Sequence, residues 1–272
     1  MGTHRTYRQA GKLECVAFGY EVEGVVWIVI TFRNWMIVTR PGDLLVCYRL
    51  SNFQRVSNIS GDPCTHVAML DVIDGKVMTI EMGADGVFVR SFAEFAAAYE
   101  WIGVIHLDSS ESERSTIVAD ARRRLQDGRM RYSLLQCGHI AAFGLARRAL
   151  PAAVEPVLSA IALASSRVVH RREGPDVATC SGFIAQCLDA AFAQRGEPAW
   201  PIRPRVAPWR RAPDVTAVAA RDDLRRRPQQ RGAVNVLMSP SDLFVTVPSC
   251  GRTIIGPDDV TLLPGVHSGA SS

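Results

Sequence analysis

The 272-residue chain predicts an α+β fold, a mainly antiparallel sheet packed against helices. Apolar runs on either side of Ile73-Asp74-Gly75-Lys76 read as two strands, and the Asp-Gly pair between them favours a two-residue type I′ hairpin. Helix-period apolar spacing appears later, at Phe183, Ile184, Cys187, Leu188 and Ala191. A layer of helices over an antiparallel sheet buries both patterns at once.

The elements follow in order. The apolar run from Gly24 to Val38, broken by Arg33 and Asn34, has the Val, Ile, Trp, Thr and Phe content of a strand or strand pair. It falls short of the ~20 residues a membrane span needs, and contact with a membrane interface is its alternative role. Asp43 to Tyr48 reads as the first core strand, and a loop through Asp62-Pro63 delivers His66 to the next. The hairpin covers His66 to Val72 and Val77 to Met82, and short strands are expected at Val87 to Arg90 and Ile102 to Leu107. Ser91 to Trp101 between them reads as a short helix. Ser110 with Glu113 three residues on is a capping box, opening a helix through Leu125 that Asp127-Gly128 ends. Helical stretches follow at Leu134 to Leu150, Val154 to His170 and from Cys180. Residues 195–232 hold Pro198, Pro201, Pro204, Pro208, Pro213 and Pro228, too many for regular structure apart from a short helix at Val215 to Arg227, and read as an insertion or lid. Ala233 to Met238 is expected as an edge element, and the Gly- and Ser-rich tail as disordered.

Cys180 carries the chemistry. Val177-Ala178-Thr179-Cys180-Ser181-Gly182 reads as a loop turning into a helix with the thiol in its first turn. Unsatisfied N–H groups and the positive end of the helix dipole favour a thiolate there. The hairpin supplies the base. With a two-residue loop Ile73 faces Lys76, Ala68 faces Glu81, and His66 and Glu81 become diagonal neighbours on one face, about 7–8 Å apart at Cα. Cys180 as nucleophile, His66 as base and Glu81 orienting the imidazole make the set a cysteine hydrolase needs. A carboxylate between Ile80 and Met82 is costly to bury alone, and His66 is the partner that the register offers. Tyr132, ahead of an apolar helix, either lines the cleft or packs.

Arg40-Pro41-Gly42-Asp43-Leu44-Leu45-Val46, then Thr65-His66-Val67-Ala68, Glu81, Tyr132, Thr179-Cys180-Ser181 and Ser239-Pro240-Ser241-Asp242-Leu243 resemble, in that order, the circularly permuted papain-fold hydrolases related to NlpC-type peptidases, the YiiX-like group. The resemblance implies a permuted papain-like domain over residues 39–250 with the Pro- and Arg-rich insertion at 195–232. It leaves residues 1–38 as a loosely attached N-terminal extension and 251–272 as a C-terminal tail. It also implies catalysis by His66, Glu81 and Cys180, with the Cys180 N–H in the oxyanion hole. The family often has Ser before the histidine and an aromatic before the cysteine, where this chain has Thr65 and Thr179.

Composition bounds the rest. With 47% hydrophobic and 21% charged residues the chain can bury one substantial core. Ten arginines fall between Arg195 and Arg231, so the net charge of +4 is largely local, and no nucleic-acid motif accompanies it. Seven scattered cysteines fit a reducing compartment, and the opening residues lack the apolar core of a signal peptide, so a cytoplasmic address is expected. The expected substrate is a small peptide-like or acyl compound, with no cofactor and no metal. One rival metal set exists, Cys64, His66, Cys137 and His139, whose Cys-x-His spacing lacks the gap of common structural zinc sites. A lipid acyltransferase or thioesterase of the same fold and a non-catalytic binding module are the other functional readings.

Overall fold

The computed structural model describes residues 15–33, 35–48, 64–149, 172–192, 249–255 and 260–266, with isolated positions between 157 and 169. The insertion at 195–232, the edge element at 233–238 and most of the stretch at 154–170 lie outside the described residues. What is described is α+β.

Three strands open it: β1 (Cys15–Val22), β2 (Val25–Phe32) and β3 (Trp35–Thr39), paired in that order as an antiparallel sheet. The strand pair expected at 24–38 is β2 and β3. The strand ahead of it, with Glu21 at its exposed end, is an addition to the expected elements. Glu23 and Gly24, both at positive φ, form the turn from β1 to β2.

The main sheet draws on β4 (Leu44–Tyr48), β5 (His66–Ile73), β6 (Lys76–Gly83), β7 (Gly86–Ser91) and, after helix α1 (Phe92–Ala97), β8 (Trp101–Leu107). Helix α2 (Glu111–Asp127) has the capping box expected of Ser110 and Glu113, and Gly128 ends it in the left-handed conformation at φ 61°. A short parallel pair, β9 (Arg131–Tyr132) and β10 (Val177–Ala178), brackets α3 (Leu134–Ala149) and leads into α4 (Cys180–Phe192). Finally β11 (Ser249–Ile255) and β12 (Val260–Val266) return to the main sheet, whose order is β12-β11-β8-β4-β5-β6-β7.

That return corrects the expectation of a disordered tail beyond residue 250. β11 pairs antiparallel with β8, Thr253 opposite Val104, and β12 pairs with β11. Without them β8 would present an unpaired apolar edge, which a sheet covers where it can.

The main sheet is buried on both faces. On one, Val67, Met69, Ile80 and Met82 pack against Ile117 and Ala121 of α2 and Phe183, Ile184 and Leu188 of α4. On the other, Leu45, Ala68, Leu70 and Val104 pack against Phe92 and Phe95 of α1 and against Ile28, Ile30, Phe32 and Ile37 of the three-stranded sheet. The part of the N-terminal extension from Cys15 on is therefore a layer of the core and not loosely attached. Gly19 shows how close the layers come: a Cβ there would meet Val72 at 3.1 Å. Among the described residues, no helix is long and apolar enough to cross a membrane.

Candidate active site

The hairpin register is the one the Asp-Gly turn dictates. Asp74 and Gly75 have φ of 51° and 74°, both positive as type I′ requires, Ile73 pairs with Lys76 and Ala68 with Glu81. His66 and Glu81 consequently share a face, and His66 Nε2 lies 2.8 Å from Glu81 Oε2.

Glu81 is fully buried, and among the described residues its donors are side chains. Thr79 Oγ1 and Arg90 Nε each donate to Oε1 at 2.6 Å, and Arg90 Nη2 donates to Oε2 at 2.8 Å. Burial pushes the carboxyl upward in pKa, but the hydrogen bond and charge of His66 and the hydrogen bonds of Arg90 and Thr79 outweigh it and hold Glu81 below the usual carboxylate range. Arg90 is itself held: its guanidinium sits 4.8 Å over the Phe95 ring, and Nη2 donates to the Tyr99 hydroxyl at 3.2 Å. Tyr99 stacks on the His66 imidazole, ring centres 6.1 Å apart and planes 10° apart. The imidazole is thus fixed at one edge and along one side.

The nucleophile candidate stands at the start of α4. Thr179 caps that helix, its Oγ1 accepting from the Gly182 N–H at 3.1 Å and its carbonyl from the Phe183 N–H at 2.9 Å. Phe183, Ile184, Cys187, Leu188 and Ala191 all point into the core, which sets the helix axis and leaves Cys180 at its first turn. The Cys180 side chain is buried and lies near enough to His66 to favour the imidazolium electrostatically. The sequence-predicted set of Cys180, His66 and Glu81 is brought together where β5 and α4 begin.

The His66 pKa is the sum of opposed effects. Burial disfavours the imidazolium, while the hydrogen bonds to Cys180 and Glu81 and their charge favour it more, and the result is raised to about 9. Glu81 occupies Nε2, so Nδ1 is the nitrogen left for the thiol.

Tyr132 completes the surroundings of the sulfur. The parallel pair sets it beside Ala178, two residues ahead of Cys180, and its hydroxyl accepts from Cys137 Sγ at 3.2 Å and lies within electrostatic reach of Cys180. Burial, and after it the charges of Cys180 and Cys137, push the Tyr132 phenol up, so it keeps its proton and remains a donor. Tyr132 lines the site. The sequence reading missed Arg90 and Tyr99. Arg90 was within reach of the same counting: with Ala84 and Asp85 as the loop, Gly83 pairs with Gly86 and Arg90 falls opposite Thr79, diagonal to Glu81 on its face.

The rival metal set is dispersed. His66 is held by Glu81, and His139 Nε2 lies 2.7 Å from Ser165 Oγ. Among the described residues, no three His, Cys, Asp or Glu side chains are grouped to hold a metal ion.

No protein-family model matches the chain, and no curated protein matches it. Among solved structures, the crystal structure of the metalloprotein YiiX from Escherichia coli O157:H7 is similar with a TM-score of 0.43 and 14% identity, over 84% of this chain and 98% of that one. A likeness that distant leaves the functional reading to the side chains described above.

Proposed function

We propose that this chain is a cysteine hydrolase that cleaves a peptide-like amide through an acyl-thioester on Cys180. The observation that carries the reading is a fully buried, arginine-clamped Glu81 holding His66 Nε2 at 2.8 Å, with the thiol of Cys180, at a capped helix N-terminus, near enough to the same imidazole to favour its charged form. The order of motifs shared with permuted papain-fold hydrolases supports it as well.

In this mechanism the thiol proton resides on His66, and Cys180 Sγ attacks the amide carbonyl carbon. The C–O π electrons move to oxygen. The developing oxyanion is met by the Cys180 backbone N–H, one of the first-turn N–H groups that a helix leaves without an acceptor of its own, and by the Tyr132 hydroxyl. As the C–N bond breaks, His66 passes its proton to the leaving nitrogen, and an amine departs. His66, now neutral, takes a proton from water as the hydroxide oxygen adds to the thioester carbonyl. Collapse releases the carboxylic acid and returns the proton to the Cys180–His66 pair. Glu81 stays ionised throughout and holds the ring. Cys15, Cys47, Cys64, Cys137, Cys180 and Cys187 are free thiols, which supports a reducing, cytoplasmic address and a soluble substrate of small size.

The test is amine release from a panel of short peptide amides. The expected result is turnover that iodoacetamide abolishes, with one carboxymethyl group on Cys180. Turnover confined to phospholipid or acyl-thioester substrates would replace the amidase reading with a lipid acyltransferase or thioesterase. Turnover that a chelator removes and zinc restores would overturn the thiol mechanism.

A further inference from the structure

Across from His66 two successive strands place glycine. His66 opens β5 and Gly83 ends β6, and the pairing of Ala68 with Glu81, continued by two residues, sets them opposite each other. Gly83 in turn pairs with Gly86 of β7. Gly86 owes its identity to the backbone: its φ is 110°, and a Cβ there would also meet the Met130 carbonyl oxygen at 2.7 Å. Gly83 has no positive φ to account for it. What fills its side-chain space is the ring of Phe88, whose Cε1 lies 2.7 Å from where a Gly83 Cβ would stand.

Phe88 pairs with Glu81 and so stands on the face that carries His66 and Glu81, and its ring lies back over Gly83 toward the end of the sheet where β5 begins. Adjacent strands are about 4.8 Å apart, so the ring neighbours the imidazole across one strand spacing. A phenylalanine that served packing alone would be covered. This one is 40% exposed, while Val87 and Val89 on either side of it pack on the core. A ring with a place cleared for it by a glycine, and left open beside the imidazole, is built to receive an apolar group.

The mechanism brings one half of the substrate to it. The carbonyl oxygen is directed to the Cys180 N–H and the Tyr132 hydroxyl, whereas the amide nitrogen must come within hydrogen-bond reach of His66 to take its proton. The carbon attached to that nitrogen is carried toward β6, and a side chain on it falls over Gly83 and against Phe88. We propose, on the hydrolase reading, that Phe88 sets the specificity of the site for the leaving amine, selecting amides whose amine half bears an aromatic or bulky apolar side chain next to the nitrogen.

Two measurements on the full chain test it. In calorimetric titration phenylalaninamide, a free amine half with about 12 non-hydrogen atoms, should bind with Kd of about 2 mM, and glycinamide at least ~10-fold more weakly. Phe88→Ala should remove that difference, and so should Gly83→Ala, whose Cβ displaces the ring while Phe88 stays in the chain. In turnover, peptide amides that share one acyl half and release phenylalaninamide or glycinamide should differ ~10-fold or more in kcat/KM in the parent and less than ~2-fold in Phe88→Ala. Phe88→Tyr should keep the preference. Equal binding of the two amines by the parent, or a preference that survives in Phe88→Ala, overturns the subsite and leaves the hydrolase standing. A loss of turnover in Phe88→Ala that is the same for both amides is what a merely structural ring would give, and it overturns the subsite too. Selective binding of phenylalaninamide without turnover of either amide supports the subsite and contradicts the hydrolase.

Discussion

Glu81 and His66 in the main sheet run on to Cys180 at the start of α4 as one chain of polar groups, and Asp43, His106 and Thr253 form another on the same plan. In the second, His106 Nδ1 lies 3.5 Å from Asp43 Oδ2, and Nε2 lies 3.0 Å from Thr253 Oγ1. Each carboxylate is braced by an arginine, Arg90 in one case and Arg114, 2.5 Å from Asp43, in the other. Each is held below the usual carboxylate range against the pull of burial, Asp43 by its hydrogen bond to His106 and the charge of Arg114. The difference lies in who else is attached. Asp43 also accepts from the backbone N–H groups of Arg40 and Leu107, and Arg114 donates to the Leu107 carbonyl, so the network knots β4, β8 and α2 together. Glu81 takes its donors from side chains and fixes an imidazole. The terminal groups differ too, since Thr253 lies in the middle of β11 whereas Cys180 opens a helix. A buried carboxylate–histidine pair is therefore no mark of catalysis by itself; what sets the first chain apart, and what the proposed function rests on, is a thiol at a helix N-terminus beside the histidine.

The contrast is broken most severely at its far ends. Cys180→Ala should lower kcat/KM on a peptide amide by about 10³ or more, whereas Thr253→Val should change it by less than about threefold. Comparable losses in both variants would erase the distinction. Removing the arginines comes next. Arg114→Ala strips a charge from an almost fully buried pair and should cost about 3–5 kcal/mol in denaturant unfolding. Arg90→Ala, at a side chain 24% exposed, should cost less, about 2 kcal/mol, yet it should lower kcat where a stability-matched control does not.

The pH dependence separates the networks further. The folded pKa of His66, about 9, lies above its unfolded value. Its stabilising contribution is therefore complete below about pH 6.5 and is lost as pH rises through about 9. Turnover needs the same proton for the leaving amine, so kcat should fall along an alkaline limb near that value. Glu81→Gln removes one of the charges favouring the imidazolium and should move the limb toward lower pH, while Asp43→Asn should leave it in place. Glu81, with its pKa depressed, contributes stability above its unfolded value that is lost as pH falls through the folded one. The smallest effect belongs to the helix cap: Thr179→Ala should cost about 1 kcal/mol and loosen the turn that carries the thiol.

Legibility in the sequence followed the range of the interactions. The site's three principal residues could be read because a two-residue turn sets their parity and a helix start sets the thiol, both local events. The capping box at Ser110 and the Gly128 stop were legible for the same reason. What escaped depends on distant partners. β11 and β12 carry only short apolar runs, Thr253-Ile254-Ile255 and Val260-Thr261-Leu262-Leu263, and join the sheet because β11 pairs with β8, far back in the chain, and β12 with β11. β1 shows no polar alternation because both of its faces are apolar. Tyr99 reaches His66 only through the packing of α1 on the sheet.

Trapping the acyl-enzyme tests the thioester most directly: an activated acyl ester is added, the protein is quenched in acid, and the labelled peptide is identified by mass spectrometry. The expected label is a single hydroxylamine-labile acyl group on Cys180, absent in Cys180→Ala and strongly reduced in His66→Ala while both variants remain folded. A label that persists in Cys180→Ala or maps to Cys64, Cys137 or Cys187 would contradict the assignment of the nucleophile.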